Sequence, residues 1–255
     1  MLKRAVVTAF AILPFPIAAI AQSGSDVAKS WEKAIVYVGG SARAGGVTKV
    51  NLSKPAGVVL FIHGCAGIGP PEHDAQRWAA LISKQGFTVV LPDSMARGDR
   101  QVSCDPIAKK GGLFPPVHGM RLEEIRFAAE QIRKQPWFDG KNLFLMGYSE
   151  GAIAAVRSKL EGFRGVVATS WSCTNAKAPD FDGVFTPPGT PLLTLMHVDD
   201  PWFQAPHLKG SCATKIADRK NAKHITVPGT GHGTYDNAAA RNAVVAFVKA
   251  NAVAP

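Results

Sequence analysis

The segment Gly-Tyr-Ser-Glu-Gly at positions 147–151 places one serine between two glycines, directly after an apolar run. The run predicts a buried strand, and the residues from 150 onward have the spacing of a helix. At so tight a strand-to-helix turn the dihedrals of the central residue are strained, and its neighbours two positions away must be small. The pattern G-x-S-x-G therefore predicts that Ser149 is an exposed nucleophile; a capping serine in an ordinary turn is the alternative.

A serine nucleophile needs a base that accepts its proton and an acid that orients the base. His232 lies in a glycine-rich loop before the last predicted helix, from which its imidazole could reach the sheet edge. Asp199 and Asp200 follow the apolar run 191–198, at the carboxyl end of a predicted strand, where catalytic groups gather in parallel sheets. Only one acid is needed. The spacing along this run favours Asp200, and Asp199 is the alternative.

Negative charge that develops on a carbonyl oxygen needs two converging N–H donors. One donor is expected from Glu150, directly after the serine, and the other from the glycine-rich segment HGCAGIG at 63–69, from Cys65 in particular. We interpret His63 as a structural loop residue rather than a base.

Three aromatic residues lie on loops expected at the same edge of the sheet: Trp171, Trp202 and Phe203. Aromatic rings provide large apolar surfaces, so these residues are candidates for the walls of an acyl pocket. A place in the hydrophobic core is the alternative for each of them.

Strand and helix patterns alternate along the chain, which predicts one α/β domain over 22–255, a doubly wound and mostly parallel sheet with helices on both faces. The segments 33–40 and 46–52 are joined by a stretch rich in glycine, which predicts an antiparallel hairpin before the parallel strands. The segment 120–135 is an amphipathic helix pattern, with its apolar stripe at Leu122, Ile125, Ala129 and Ile132.

The first 21 residues combine a basic start, an apolar stretch and the small-x-small pattern at 19–21, which is typical of a secretory signal peptide. We therefore expect an exported, periplasmic or secreted protein without a stable membrane anchor once the signal has been cleaved. A retained anchor is the alternative, although two prolines interrupt the apolar run, which is short for a membrane span.

The four cysteines of the chain suggest two disulfides in an exported protein, for which three pairings exist. We expect Cys65–Cys104 and Cys173–Cys212, since each would join loops at one edge of the sheet. Cys65 as a nucleophile is an alternative. No metal site is expected, because no two cysteines have C-x-x-C spacing.

The formal net charge of +10 does not indicate a nucleic-acid-binding protein, because the basic residues are scattered and no aromatic ladder accompanies them. No cofactor is expected either, since no G-x-G-x-x-G follows a strand and opens a helix.

The chain resembles the α/β-hydrolase superfamily and, within it, the dienelactone hydrolase family. The resemblance rests on HGCAG at 63–67, Arg121, GYSEG at 147–151, DDPW at 199–202 and GHG at 231–233. It implies a small-molecule ester or lactone substrate and, in exported members, paired cysteines. Dienelactone hydrolases proper use a cysteine nucleophile, whereas this chain has Ser149, so the resemblance implies hydrolysis more firmly than a dienelactone substrate. A non-catalytic binding protein on this fold, or a peptidase or acyltransferase with the same triad, is the alternative.

We expect the exported protein to begin near Gln22, because signal cleavage after Ala21 matches the small-residue pattern. Intact mass spectrometry of the exported fraction measures this directly. A protein that keeps Met1 and remains in the membrane fraction would contradict the prediction.

Overall fold

The computed structural model describes residues 26–41, 44–111 and 115–254. Its ten strands, in chain order, are β1 Ile35–Tyr37, β2 Ala44–Gly46, β3 Ala56–Ile62, β4 Thr88–Leu91, β5 Cys104–Asp105, β6 Lys110–Gly111, β7 Phe138–Tyr148, β8 Val166–Thr169, β9 Leu192–His197 and β10 Ala222–Val227. Short apolar runs bounded by turn residues form the buried strands of the sheet, such as β3, β4, β8 and β9.

Eight of these strands form one sheet in the order β10-β9-β8-β7-β3-β4-β1-β2, while β5 and β6 pair in a separate small ribbon. Strands β3, β4 and β7 to β10 run parallel to one another. Strand β1 is antiparallel to both β4 and β2. The mostly parallel sheet with an antiparallel N-terminal hairpin is therefore confirmed. The second hairpin strand lies earlier than predicted, because residues 47–49 form a 3-10 turn instead.

Helices cover both faces of the sheet. Residues 26–32 are helical (α1). The later helices are α2 Asp74–Ser83, α3 Pro115–Arg133, α4 Glu150–Arg157, α5 Cys212–Lys215 and α6 Ala238–Asn251. The central strand β3 is buried on both sides: Leu60 and Ile62 join the cluster under α3 and α4, whereas Val59 and Phe61 join the cluster under α2 and α6. A central strand with both faces covered accounts for its continuous apolar sequence.

The expected signal segment 1–21 lies outside the described residues. Within the ranges that the structure does describe, no helix has both the length and the apolar content that a membrane crossing requires.

Two disulfides join Cys65 to Cys104 and Cys173 to Cys212, which is the pairing expected from the sequence. The first links the loop after β3 to strand β5, and the second links the loop after β8 to α5. The two cysteines are 39 positions apart in both pairs, so the two cross-links close chain loops of equal length.

We expect peptide mapping without reduction to recover the linked peptides Cys65–Cys104 and Cys173–Cys212, because all four sulfurs are already paired in the fold. Recovery of four free thiols, or of either other pairing, would contradict this arrangement.

Candidate active site

Ser149 lies at the sharp turn between β7 and α4, with φ of 56° and ψ of −120°. Positive φ is unfavourable for a residue with a side chain, so this backbone conformation is strained. The glycines on either side explain how the chain tolerates the turn: a methyl group on Gly147 would overlap the backbone of Gly151, and one on Gly151 would overlap the carbonyl oxygen of Ile62. The local geometry is that of the strand-to-helix turn predicted from the sequence.

Three side chains form a continuous chain of hydrogen bonds at this turn. His232 Nε2 lies 2.8 Å from Ser149 Oγ, and His232 Nδ1 lies 2.8 Å from Asp200 Oδ2 and 3.0 Å from Asp200 Oδ1. Because a carboxylate only accepts hydrogen bonds, Nδ1 carries the proton and Nε2 is left to accept from the serine hydroxyl. The side chains predicted as nucleophile, base and orienting acid are therefore brought together.

The two candidate aspartates differ sharply in environment. Asp200 is completely buried, and its Oδ1 also accepts a hydrogen bond from the Trp202 N–H at 3.0 Å. Asp199 is exposed, and its N–H donates to the carbonyl oxygen of Gly229 at 3.2 Å. The structure thus brings Asp200, and not Asp199, to the imidazole of His232.

The loop that carries His232 is held at several points. Ser170 Oγ donates to the carbonyl oxygen of His232 itself. The ring of His197 lies between the carbonyl oxygens of Pro228 and Gly233, at 3.0 and 3.1 Å from its two nitrogens. From α2, Asp74 accepts a hydrogen bond from the Tyr235 N–H at 3.3 Å. Burial raises the pKa of this Asp74 carboxyl. These contacts fix the backbone from which the imidazole projects.

A small cavity of about 220 Å³ opens in front of Ser149. Trp202 forms one wall and stacks on the imidazole of His232, with ring centroids 5.2 Å apart, while Tyr148 lies 5.4 Å from the same ring. Burial raises the pKa of the Tyr148 phenol, so this residue remains neutral. The complete lining is Gly64, Cys65, Ala66, Gly67, Pro106, Tyr148, Ser149, Trp202 and His232.

Of the three predicted pocket aromatics, only Trp202 lines this cavity. Trp171 is 1% exposed and packs edge-on against Phe203, with ring centroids 5.2 Å apart, in the core on the α3 and α4 side of the sheet. Phe203 is also buried, behind His232 at 5.9 Å. The prediction for Trp171 and Phe203 is corrected accordingly: large apolar rings directly after a strand or turn gain more from burial in the core than from a place at the edge.

The two expected N–H donors are available. Within the described residues, the N–H groups of Cys65 and Glu150 donate to no other protein group. Cys65 lines the cavity, and Glu150 is the first residue of α4, where backbone N–H groups have no partner inside the helix. Gly64 lies close enough to Ser149 that a methyl group on it would contact the serine Cβ, so the loop after β3 and the serine turn are adjacent.

Behind these donors lies a cluster of buried charges. The Glu150 carboxylate is 2.8 Å from Arg100 NH2 and also accepts from Ser103 Oγ. Arg121 pairs with Glu124 at 2.8 Å and donates to the carbonyl oxygen of His63 at 2.7 Å. Burial of charges is costly unless each is paired and hydrogen-bonded, and the contacts here provide such partners.

His63 belongs to this cluster as a structural residue. It is completely buried; its Nε2 accepts from the Ser94 N–H at 3.0 Å and its Nδ1 lies 2.7 Å from the carbonyl oxygen of Gly64. Burial and the neighbouring Arg121 hold the pKa of His63 well below its ordinary value. A neutral ring with Nδ1 protonated satisfies both contacts.

Sequence reasoning missed the roles of Arg100, Ser103, Pro106 and Tyr148. Arg100 and Ser103 lie in the irregular segment before β5, where no periodic pattern marks a residue as buried. The expected link between Cys65 and Cys104 was the available signal, since it brings this segment, including Pro106, to the serine turn.

A larger groove of about 720 Å³ lies between α3 and the end of α4, lined by Arg126, Arg157 and Ser158 among others. No histidine lines it, so its serine has no neighbouring imidazole of the kind that Ser149 has. Within the described ranges, no group of three or more His, Cys, Asp or Glu side chains could hold a metal ion.

Comparisons of the sequence with known proteins give partial matches. No family model matches the chain. It is 29% identical over 112 residues to "Putative esterase YitV" of Bacillus subtilis. The matched segment covers 43% of this chain and 42% of that protein. It is 28% identical over 103 residues to "Probable acetylxylan esterase A" of Aspergillus niger. The matched segment covers 40% of this chain and 32% of that protein. The chain thus matches less than half the length of either relative.

Comparisons of the structure cover most of the chain. The crystal structure of TT1662 from Thermus thermophilus is similar with a TM-score of 0.59 at 19% identity, over 87% of this chain and 94% of that chain. XC6422 from Xanthomonas campestris, described as an α/β serine hydrolase without a lid, gives a TM-score of 0.54 at 18% identity, over 87% and 90% of the two chains. A protein from Klebsiella pneumoniae named "Putative Dienelactone Hydrolase" gives a TM-score of 0.56 at 12% identity, over 81% of this chain and 90% of that chain. Together with the strand order, these similarities identify the chain as a protein of the α/β-hydrolase fold.

Proposed function

We propose that the protein is a serine hydrolase that cleaves a small carboxylic ester or lactone. The observation that carries this proposal is the unbroken line of hydrogen bonds from buried Asp200 through His232 to the strained Ser149. A turn serine without a catalytic task needs neither a histidine at 2.8 Å nor a buried acid behind it. The alternative cysteine nucleophile is not supported, because Cys65 is bound to Cys104.

The proposed reaction begins when Ser149 Oγ attacks the ester carbonyl carbon and His232 Nε2 takes the serine proton. Asp200 holds the imidazole tautomer and stabilises the imidazolium. The N–H groups of Cys65 and Glu150 bind the oxyanion, and each such donor contributes about 3 kcal/mol. The imidazolium then protonates the leaving alcohol, and water attacks the acyl-enzyme with His232 again as base. No step requires a cofactor.

The size of the cavity supports a small acyl group. Its volume of about 220 Å³ is below the range of about 300–1,000 Å³ typical of sites for larger ligands.

The esterase names of the two partial relatives agree with ester cleavage, and one structural neighbour at 13% identity, Est1E from Butyrivibrio proteoclasticus, has been solved with ferulic acid. A lactone substrate rests on the resemblance to dienelactone hydrolases alone.

Experiments can distinguish the proposed hydrolase from a binding protein and from a peptidase or acyltransferase. A non-catalytic binding protein on this fold has no use for an activated serine, so a fluorophosphonate that labels nucleophilic serines would not react with it. A peptidase or acyltransferase would use the same three side chains, but it would cleave amides or transfer the acyl group to an acceptor other than water.

We also propose that the protein works outside the cytoplasm, which its two disulfides favour.

We expect the purified protein to hydrolyse chromogenic acetate and butyrate esters faster than long-chain esters, and Ser149→Ala to lose this activity. The reason is the small cavity and the loss of the attacking oxygen. A panel of acyl chain lengths measured for both proteins, with circular dichroism to show that the variant is folded, provides the test. Equal activity of the two proteins would remove the serine-hydrolase proposal.

Asp200→Asn and its neighbour Asp199→Asn form a matched pair of variants. We expect Asp200→Asn to lower kcat by up to about 10⁴-fold, because an amide behind the imidazole favours the wrong tautomer. Asp199→Asn should leave kcat within about twofold and change the free energy of unfolding by less than about 1 kcal/mol, since its side chain is exposed. Steady-state kinetics of both variants decides; a collapse of kcat in Asp199→Asn alone would reassign the acid.

A further inference from the structure

The segment 100–104, which follows β4 and ends at the first residue of β5, contacts both residues that carry the expected oxyanion donors. Its Cys104 is bonded to the sulfur of Cys65. Its Arg100 and Ser103 side chains bind the carboxylate of Glu150. We propose that this segment, the oxyanion anchor, is the positioning element that sets the distance between the two donors. This inference rests on the proposed hydrolytic function.

The two donors are distant in the sequence and lie just after two neighbouring strands. Cys65 lies in the loop after β3, and Glu150 begins α4 after β7, so they are 85 positions apart in the sequence. Both donors are backbone N–H groups, whose position is determined by the local chain path and not by a rotamer. The disulfide at Cys65 and the hydrogen bonds at the Glu150 carboxylate therefore restrict where the N–H group of each residue lies.

The contacts of the oxyanion anchor are buried. The Arg100 side chain is 3% exposed and that of Glu150 is 1% exposed, so their ion pair is shielded from water. Ser103 is buried as well, and its hydroxyl lies 3.2 Å from Arg100 NH2 while it donates to Glu150. Charge-assisted hydrogen bonds of buried groups are short and directional, which suits them to hold backbone atoms in place.

The anchor also keeps the charge behind the oxyanion hole balanced. Glu150 supplies one of the two expected N–H donors, and its own carboxylate, if unpaired, would repel the negative oxygen that this donor binds. Arg100 at 2.8 Å and Arg121 at 3.7 Å both face this carboxylate. Arg121 also pairs with Glu124 at 2.8 Å, so the two guanidinium groups and the two carboxylates behind the N–H donors neutralise one another.

The second disulfide provides a control of equal loop length. Cys173 and Cys212 are also 39 positions apart, so removal of either cross-link releases the unfolded chain to a similar extent. Cys173 and Cys212 do not line the cavity, and both are buried in the core. The two disulfides therefore differ in their place relative to the donors, and not in their expected effect on the unfolded chain.

The test compares Cys65→Ser/Cys104→Ser with Cys173→Ser/Cys212→Ser, each assayed well below its own Tm. The serine substitutions keep every backbone N–H group. We expect the first variant to lose kcat by about 10²-fold or more with KM nearly unchanged, the scale of one lost oxyanion donor. The second variant should retain kcat within about threefold. Equal losses in the two variants, or no loss in the first, would overturn the proposal.

A second readout separates positioning from general loosening. A trifluoromethyl ketone forms a tetrahedral oxyanion adduct with a serine nucleophile, so its inhibition constant should rise in parallel with the loss of kcat/KM in the first variant. An unchanged inhibition constant would contradict the proposal.

Ser103→Ala covers the case in which the first variant does not fold, because both disulfides remain. We expect kcat of Ser103→Ala to fall by about tenfold or more, because Glu150 is displaced. The separate variant Ser103→Thr keeps the hydroxyl and should have a kcat close to that of the wild type. Wild-type kcat in Ser103→Ala would overturn the inference. Failure of the proposed function itself would look different: the wild-type protein would show no Ser149-dependent ester hydrolysis.

Discussion

The close approach of α4 to the ends of β3 and β7 is the constraint on which the site depends. Gly147 and Gly151 face backbone atoms that a methyl group would overlap, so the helix can begin directly at the serine. Because β3 is the neighbour of β7 in the sheet, the loop after β3 is brought beside this turn. Ser149 and the Cys65 N–H group therefore meet without a long connection, as the fold places ligand sites at the carboxyl ends of its strands.

The site is supported by charges where hydrophobic residues would be expected. Arg121 and Glu124 lie on the buried face of α3, together with the apolar residues that cover the sheet. A buried ion pair gives little net stability compared with an apolar pair of similar volume, whereas removal of one partner is strongly destabilising. Its use here is geometric: Arg121 holds the carbonyl oxygen of His63, two positions before Cys65, and faces Glu150.

Much of this arrangement could be predicted from the sequence because it is local. The apolar runs, the glycines around Ser149 and the placement of His232 and Asp200 after strands follow from short patterns, and the alternation of strand and helix gave the sheet. The stripe predicted for α3 was incomplete for a physical reason. Leu122 is only partly buried, while Arg121 and Glu124 are fully buried. These two residues pair with each other, and their further partners His63 and Ser94 come from distant segments that no periodicity reveals. The place of Trp171 depended likewise on tertiary packing.

The strained conformation of Ser149 has a consequence for the stability of the whole protein. A non-glycine residue at a φ of 56° and ψ of −120° costs on the order of 1–3 kcal/mol, which the remainder of the fold must offset. Glycine at this position would relieve the strain and remove the proposed nucleophile together, so the protein without the serine is expected to be the more stable one. Random variants ranked by thermal stability alone would then be enriched in proteins that no longer carry the serine, whereas selection for turnover keeps the fold below its highest attainable stability.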